Sequence, residues 1–180
     1  MSFDRGSALA LAVLTLISLA GCRERGAPPA PVAPTNHFYE FVAAPNSTWT
    51  EANAAASLHS HDGVTGYLAT IDSPEENELV TAVLPEIQAG DTLEGAYLGA
   101  TRAKDSRRLD EGWSWMSGEP WSYANWAGGE PNGPDETYLA IWLGSANSWR
   151  PRGTWNDATD SGKLIAGYVV EYEPPPSTSP

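Results

Sequence analysis

Trp121-Ser122-Tyr123-Ala124-Asn125-Trp126-Ala127-Gly128-Gly129-Glu130-Pro131-Asn132 runs on into Asp135-Glu136, and Trp155-Asn156-Asp157 follows some twenty residues later. These polar side chains are carboxylates and carboxamides, with no His or Cys among them. Hard oxygen donors of that kind favour Ca²⁺ over zinc or copper. An X-Pro bond such as Glu130-Pro131 can be cis at small cost, which would turn the side chains of Glu130 and Asn132 toward one point. The 22 residues between Trp115 and Tyr138 are rich in Gly, Pro, Asn and Trp. A connection of that length is too long to be idle in a compact domain, so function is expected there.

Outward from this loop the pattern is that of an α+β domain. His37 to Val42 has strand composition, and Thr48-Trp49-Thr50-Glu51 offers a capping box before an Ala-rich helix reaching about Leu58. Gly63 to Ile71 reads as a strand. Ser73-Pro74-Glu75-Glu76 supplies a second capping box with Pro at the first helical position, and that helix should end near Leu84. Its apolar positions Leu79, Val80, Val83 and Leu84 predict one face against the core. After Gly90 come short strands, at Ala96–Gly99, Trp113–Trp115, Tyr138–Trp142 and Gly167–Tyr172. Helices first and strands afterwards predict α+β.

The chain of 180 residues carries 23 Asp and Glu against 10 Lys and Arg, a formal net charge of −13. That balance repels a polyanion, so nucleic acid is not expected as a partner. Ala8 to Ala20 is an apolar run of secretory h-region length, too short for a comfortable membrane span. It ends in Leu19-Ala20-Gly21-Cys22, which resembles the bacterial lipobox, so residues 1–21 are expected to be a lipoprotein signal peptide and Cys22 the lipidated residue. Residues 22–35, with Pro28, Pro29, Pro31 and Pro34, read as an extended tether. Residues 36–173 form the expected domain, and 174–180 a free tail. The expected location is the bacterial cell envelope, preferentially its outer membrane. Cys22 is the single cysteine, so the domain can hold no internal disulfide.

Glu-Pro-Asn on a long loop followed by Trp-Asn-Asp resembles the principal calcium site of C-type lectin domains. The resemblance extends to the opening segment, with its aromatic strand, Trp-x-Glu-Ala helix and Leu68-Ala69-Thr70-Ile71 before Ser73-Pro74-Glu75-Glu76-Asn77-Glu78. It extends also to the closing Gly167-Tyr168-Val169-Val170-Glu171-Tyr172. It implies a C-type lectin-like fold, two helices packed on small antiparallel sheets with a long calcium-binding loop. It assigns calcium-ligand roles to Glu130, Asn132, Glu136, Asn156 and Asp157, with Asp157 also lending its backbone carbonyl. Two places on a Ca²⁺ that takes six to eight oxygens would then stay open for adjacent sugar hydroxyls. Glu130, Asn132, Glu136 and Asn156 would also hydrogen-bond those hydroxyls. In this family Glu-Pro-Asn implies mannose, glucose, N-acetylglucosamine or fucose, that is, glycans with vicinal equatorial hydroxyls. Substituting Asn156 or Asp157 is expected to cost stability only when calcium is present.

The chain also departs from the family. Arg107, Gly133 and Thr137 stand where an auxiliary calcium site would need carboxylates, and Tyr138 occupies one expected cysteine. Without disulfides the loop is expected to be loose until calcium binds, because its carboxylates repel one another. Trp113, Trp115, Trp121 and Trp126 read as core, whereas Trp149 is the candidate for stacking on a sugar face. His59 to Asp62 reads as a polar turn, and Arg102, Lys104, Arg107 and Arg108 as a solvated basic loop. There is no His-Glu-x-x-His, no Gly-x-Ser-x-Gly and no phosphate-cradling Gly loop, so no enzyme is expected. Two other functions fit the same residues: a protein-binding adhesion module on this fold and, more remotely, a glycosidase using two carboxylates.

Overall fold

A computed structural model describes residues 36–87, 91–144 and 149–174. The expected signal peptide, lipidated Cys22 and tether, and nearly all of the expected tail, lie outside the described residues. Nine strands and two helices follow in order: β1 (Phe38–Ala43), α1 (Trp49–Ala56), β2 (Ser60–His61), β3 (Val64–Thr65), β4 (Tyr67–Leu68), α2 (Pro74–Val83), β5 (Gly95–Arg102), β6 (Trp113–Trp115), β7 (Tyr138–Trp142), β8 (Trp155–Ala158) and β9 (Ile165–Tyr172). The main sheet runs β1-β9-β5-β7-β8, with β4 added to β9 and β6 to β5. Its pairings are antiparallel except between β5 and β9.

Alternation along the strands puts an apolar layer on each side of this sheet. On β5, Ala96, Leu98 and Ala100 face a core that also holds Leu139, Ile141, Trp155 and Val169, together with Val80 and Leu84 from the α2 region. Tyr97, Ala140, Tyr168, Val170 and Tyr172 face the other side, against Trp49, Ala52 and Ala56 of α1. Gly99 lies where β4 and β5 come closest, and a Cβ there would sit 2.3 Å from the Leu68 carbonyl oxygen.

The first capping box forms as expected: Glu51 N donates to Thr48 Oγ1 at 3.1 Å, and Thr48 N donates to Glu51 Oε2 at 2.9 Å. The second forms only in half. Glu76 N donates to Ser73 Oγ, but the Glu76 carboxylate accepts from Asp72 N at 2.9 Å, one residue beyond the cap. The face expected for α2 is also displaced, because Leu79 is 45% exposed while Glu76 and Asn77 are buried beside Val80. Asn77 earns its place by hydrogen bonding: it accepts from Trp155 Nε1 at 2.8 Å and donates to the Gly153 carbonyl at 3.0 Å. The expected continuous strand at Gly63–Ile71 breaks into β3 and β4 around Gly66. His59–Asp62, expected to be a polar turn, instead supplies strand β2, and the turn falls at Asp62–Gly63 between β2 and β3.

Candidate functional site

The long loop is spliced into the sheet at its start. Trp155 N donates to the Asn125 carbonyl at 2.7 Å and Ala127 N to the Trp155 carbonyl at 2.9 Å, so Glu130 sits three residues past a backbone junction with β8. Aromatic rings hold that junction. Trp121 lies 4.9 Å from Trp115 and 5.6 Å from Trp155 between ring centroids, and Tyr123 meets Trp155 edge-on at 5.5 Å. Pairs of this geometry add about 0.5–1.5 kcal/mol beyond the area they bury. Trp113 and Trp115 are buried and Trp121 and Trp126 pack against the core, as the sequence implies.

The far end of the loop is held by a residue that the sequence reading assigns elsewhere. Arg102, expected in a solvated basic loop, is instead the buried last residue of β5. Its guanidinium donates to the Pro134 carbonyl at 2.7 Å and the Gly133 carbonyl at 3.4 Å, and its backbone N–H donates to Thr137 O at 2.8 Å. The alternation of β5 continued to residue 102 was the available signal. Basic neighbours at 104, 107 and 108 obscured it.

Between these two anchors the structure brings Glu130, Glu136 and Asp157 within electrostatic reach of one another. The Glu130–Pro131 peptide is cis. Asp157, on β8 and 0% exposed, accepts hydrogen bonds from Asn132 N at 3.0 Å and Gly133 N at 2.8 Å. Its carboxylate thus shapes the turn as well as contributing charge. That corrects the expectation that Asp157 matters only when calcium is bound, because these two N–H groups need their acceptor at all times. Asn156 alternates to the other face of β8, with its side-chain amide against the Asp157 carbonyl. The Glu136 carboxylate lies over Gly133, where any Cβ would fall 2.1 Å from Glu136 Oε2. Asn132 is exposed.

Electrostatically the cluster is unfavourable as it stands. Burial, then the negative charges of Asp157 and Glu136, push the Glu130 carboxyl up to about 7, against a smaller opposing pull from Arg150. Glu136 is raised by burial and by Asp157. Glu130 Oε2 is buried without a hydrogen-bond partner among the described residues. No three His, Cys, Asp or Glu side chains among the described residues form a metal group by themselves. A cation here would therefore draw on the amide oxygens of Asn132 and Asn156 and on the Asp157 carbonyl in addition to carboxylates. The donor chemistry, all hard oxygen with one orphaned carboxylate atom, fits Ca²⁺.

Trp149 is 69% exposed, and the Arg150 guanidinium lies 3.9 Å from its ring centroid and 4.5 Å from that of Trp142. One face of Trp149 is thus taken by Arg150, which also pairs with Glu94. A second acidic cluster surrounds β9 and reaches the first residues of the loop through Glu119. Glu171 is 1% exposed, its Oε1 is 2.7 Å from His37 Nδ1, and its Oε2 accepts from Thr70 N at 2.8 Å. Burial, with Glu76 and Glu119 nearby, pushes Glu171 up to about 8.

No family model matches this chain. Among curated proteins it is 32% identical over 142 residues to Halomucin of Haloquadratum walsbyi, covering 76% of this chain and 1% of that protein. It is 28% identical over 139 residues to C-type mannose receptor 2 of Homo sapiens, covering 73% of this chain and 8% of the receptor. The chain therefore spans a small fraction of these relatives' length. Among solved structures, the C-type carbohydrate-recognition domain of cow CD23, determined in the presence of GlcNAc2Man3 oligosaccharide, is 25% identical. The two superpose with a TM-score of 0.51 over 77% of this chain and 88% of that one. The described residues form a C-type lectin-like domain, α+β, with two helices and mainly antiparallel strands.

Proposed function

We propose that this chain is a calcium-dependent lectin for mannose-type sugars (mannose, glucose, N-acetylglucosamine or fucose), exported and lipid-anchored at Cys22 to the bacterial cell envelope. The observation that carries it is the half-buried Glu130, with one orphaned oxygen, within electrostatic reach of Glu136 and Asp157. Burying like charges together is costly unless a cation joins them. The likeness to C-type mannose receptor 2, and to a CD23 domain determined with an oligosaccharide, supports sugar as the ligand.

Glu130, Asn132, Glu136, Asn156 and Asp157 would hold the ion, Asp157 through its backbone carbonyl as well. When bound, Ca²⁺ supplies a centre that two adjacent sugar hydroxyls can coordinate. The chain's own residues do the rest. Carboxylates of Glu130 and Glu136 would accept hydrogen bonds from the sugar hydroxyls, and the amides of Asn132 and Asn156 would donate to the hydroxyl oxygens, so the orientation of the diol is read on both sides. The exposed face of Trp149 is available to stack on a sugar ring.

Calorimetric titration with Ca²⁺, then with methyl α-mannoside in calcium and in chelator, tests the reading. Calcium binding followed by chelator-sensitive mannoside binding is the expected result. Calcium binding with a blank glycan array would favour a protein ligand, and indifference to millimolar Ca²⁺ would remove the lectin function. Turnover of a chromogenic glycoside that Glu130→Gln abolishes would establish a glycosidase instead. For the anchor, Cys22→Ser should leave the precursor unprocessed by mass.

A further inference from the structure

A cavity of about 330 Å³ opens beside the carboxylate cluster, between β7, β8 and the turn into β9. That is within the size range of about 300–1,000 Å³ usual for small-molecule sites. It shares Glu136 and Asn156 with the site above, so a ligand held there has its next substituent here. The remaining lining includes Trp142, Thr159, Ser161, Lys163 and Leu164.

Two of its features, at Trp142 and Lys163, are unexplained by the fold alone, and a third, at Leu164, fixes the turn that presents Lys163. Trp142 is 4% exposed, and its indole Nε1 is buried without a hydrogen-bond partner among the described residues. Such orphans are uncommon because an unpaired buried donor is costly, so a ligand oxygen in the cavity would be welcome. Leu164 adopts φ +65°, a left-handed conformation that a non-glycine residue keeps only where its surroundings enforce it. Its carbonyl is held by Glu94 N at 2.8 Å and Gly95 N at 3.0 Å. Just before it, a Cβ on Gly162 would sit 2.2 Å from the Asn46 carbonyl, so the turn presenting Lys163 is closely packed. Lys163 itself is exposed and makes no ion pair among the described residues, whereas Arg108, Arg150 and Arg152 are all paired. Lys104, on another cavity, and Arg107 likewise make no ion pair among the described residues, so what distinguishes Lys163 is its place in a cavity that also holds Glu136 and Asn156.

The geometry points to this cavity as a subsite for the sugar residue adjoining the one held at the carboxylate cluster, and to an acidic sugar, carboxylated or sulfated, as its occupant. Thr159 Oγ1 and Ser161 Oγ, 2.7 Å apart, meet its hydroxyls, and Lys163 meets its anionic group. The inference rests on the lectin reading and specifies the ligand for the same site. One anionic group is involved rather than a polyanion, which the net charge would repel.

The test measures affinities of the full chain in calcium for methyl α-mannoside, mannobiose, glucuronosyl-mannose and a sulfated mannobiose, using wild type and Lys163→Gln. At least one acidic disaccharide should bind about three- to fivefold more tightly than mannobiose, the scale of an exposed ion pair. The ratio should shrink with added salt and fall to about one in Lys163→Gln. The Trp142 indole N–H resonance should move with the disaccharides and stay put with methyl α-mannoside. Preference for the uronate alone or the sulfate alone identifies the anionic group and supports the subsite. Equal affinity for all three disaccharides, or a preference that survives Lys163→Gln, overturns it while leaving the lectin intact. Failure of every sugar to bind overturns both.

Discussion

At the scale of single residues, Glu130 and Asp157 are both acids near the same loop, yet burial and partners make them act differently. Glu130 is pushed up to about 7 with one oxygen orphaned, so its charge is a burden when calcium is absent. Glu130→Gln should therefore raise the thermal midpoint in chelator at pH 8 while abolishing measurable calcium binding; a lowered midpoint in chelator would refute the cluster's electrostatics. Asp157 instead terminates the N–H groups of Asn132 and Gly133. Removing a buried acceptor costs about 1–3 kcal/mol for groups left unpaired. Asp157→Ala is expected to lose stability of that order in chelator and more in calcium, as measured by urea unfolding under both conditions. Gly133→Ala would drive a methyl group into Glu136 Oε2, so calcium affinity should fall with little change in the melting of the calcium-free domain. Glu-Pro-Asn and Trp-Asn-Asp were legible in the sequence because each motif is contiguous. The double duty of Asp157 was not, since its partners lie 24 and 25 residues away.

At the scale of elements, the loop is a strap fastened by β8 at one end and β5 at the other. Arg102 is the β5 fastening, and its bonds to the carbonyls of Gly133 and Pro134 hold the turn between Asn132 and Glu136. Positioning groups behind metal ligands commonly account for about ten- to hundredfold in metal affinity. Arg102→Met should lower calcium affinity by about tenfold and increase amide exchange across residues 132–137, with β5 and β7 still protected. Unchanged exchange there would mean that the loop holds itself. A comparable long-range cap ends α2: Arg152, far along the chain, donates to the carbonyls of Leu84 at 2.6 Å, Pro85 at 2.7 Å and Thr81 at 3.2 Å. Helix and strand periodicity revealed which elements exist, as the Thr48–Glu51 box and Trp113–Trp115 show. It could not reveal Asn77, whose burial in α2 is repaid only by Trp155 and Gly153 from β8.

At the scale of the whole molecule, the two most strongly raised carboxyls dominate the pH response, with Glu76 and Glu136 raised in the same direction. Glu130 near 7 and Glu171 near 8 both start from an ordinary value of 4.5. Each keeps its proton in the folded state after the unfolded chain has lost it. The folded state then binds more protons over that interval, so stability falls as pH rises. In chelator the domain should be most stable below about pH 4.5 with respect to these two groups and lose stability from there to about pH 8. Glu171→Gln should flatten the upper part of that decline, read as thermal midpoint against pH. Calcium should restore stability at neutral pH through Glu130 and leave the Glu171 contribution in place, because the carboxylates that raise Glu171 are Glu76 and Glu119, neither of which is a calcium-site acid.

Local order determined much of this protein: the caps at Thr48 and Ser73, the alternation of Tyr138–Trp142 and the oxygen-only donor motifs all follow from neighbours within a few positions. Tertiary structure alone decided which charges became buried and coupled. Arg102 turned inward to hold a loop, Glu171 came to face His37, and Lys163 was left on the rim of a cavity. The physical reason is that propensity and periodicity act over one or two turns of chain. Desolvation and charge coupling depend instead on which distant segments close over a side chain, and only the assembled sheet specifies that.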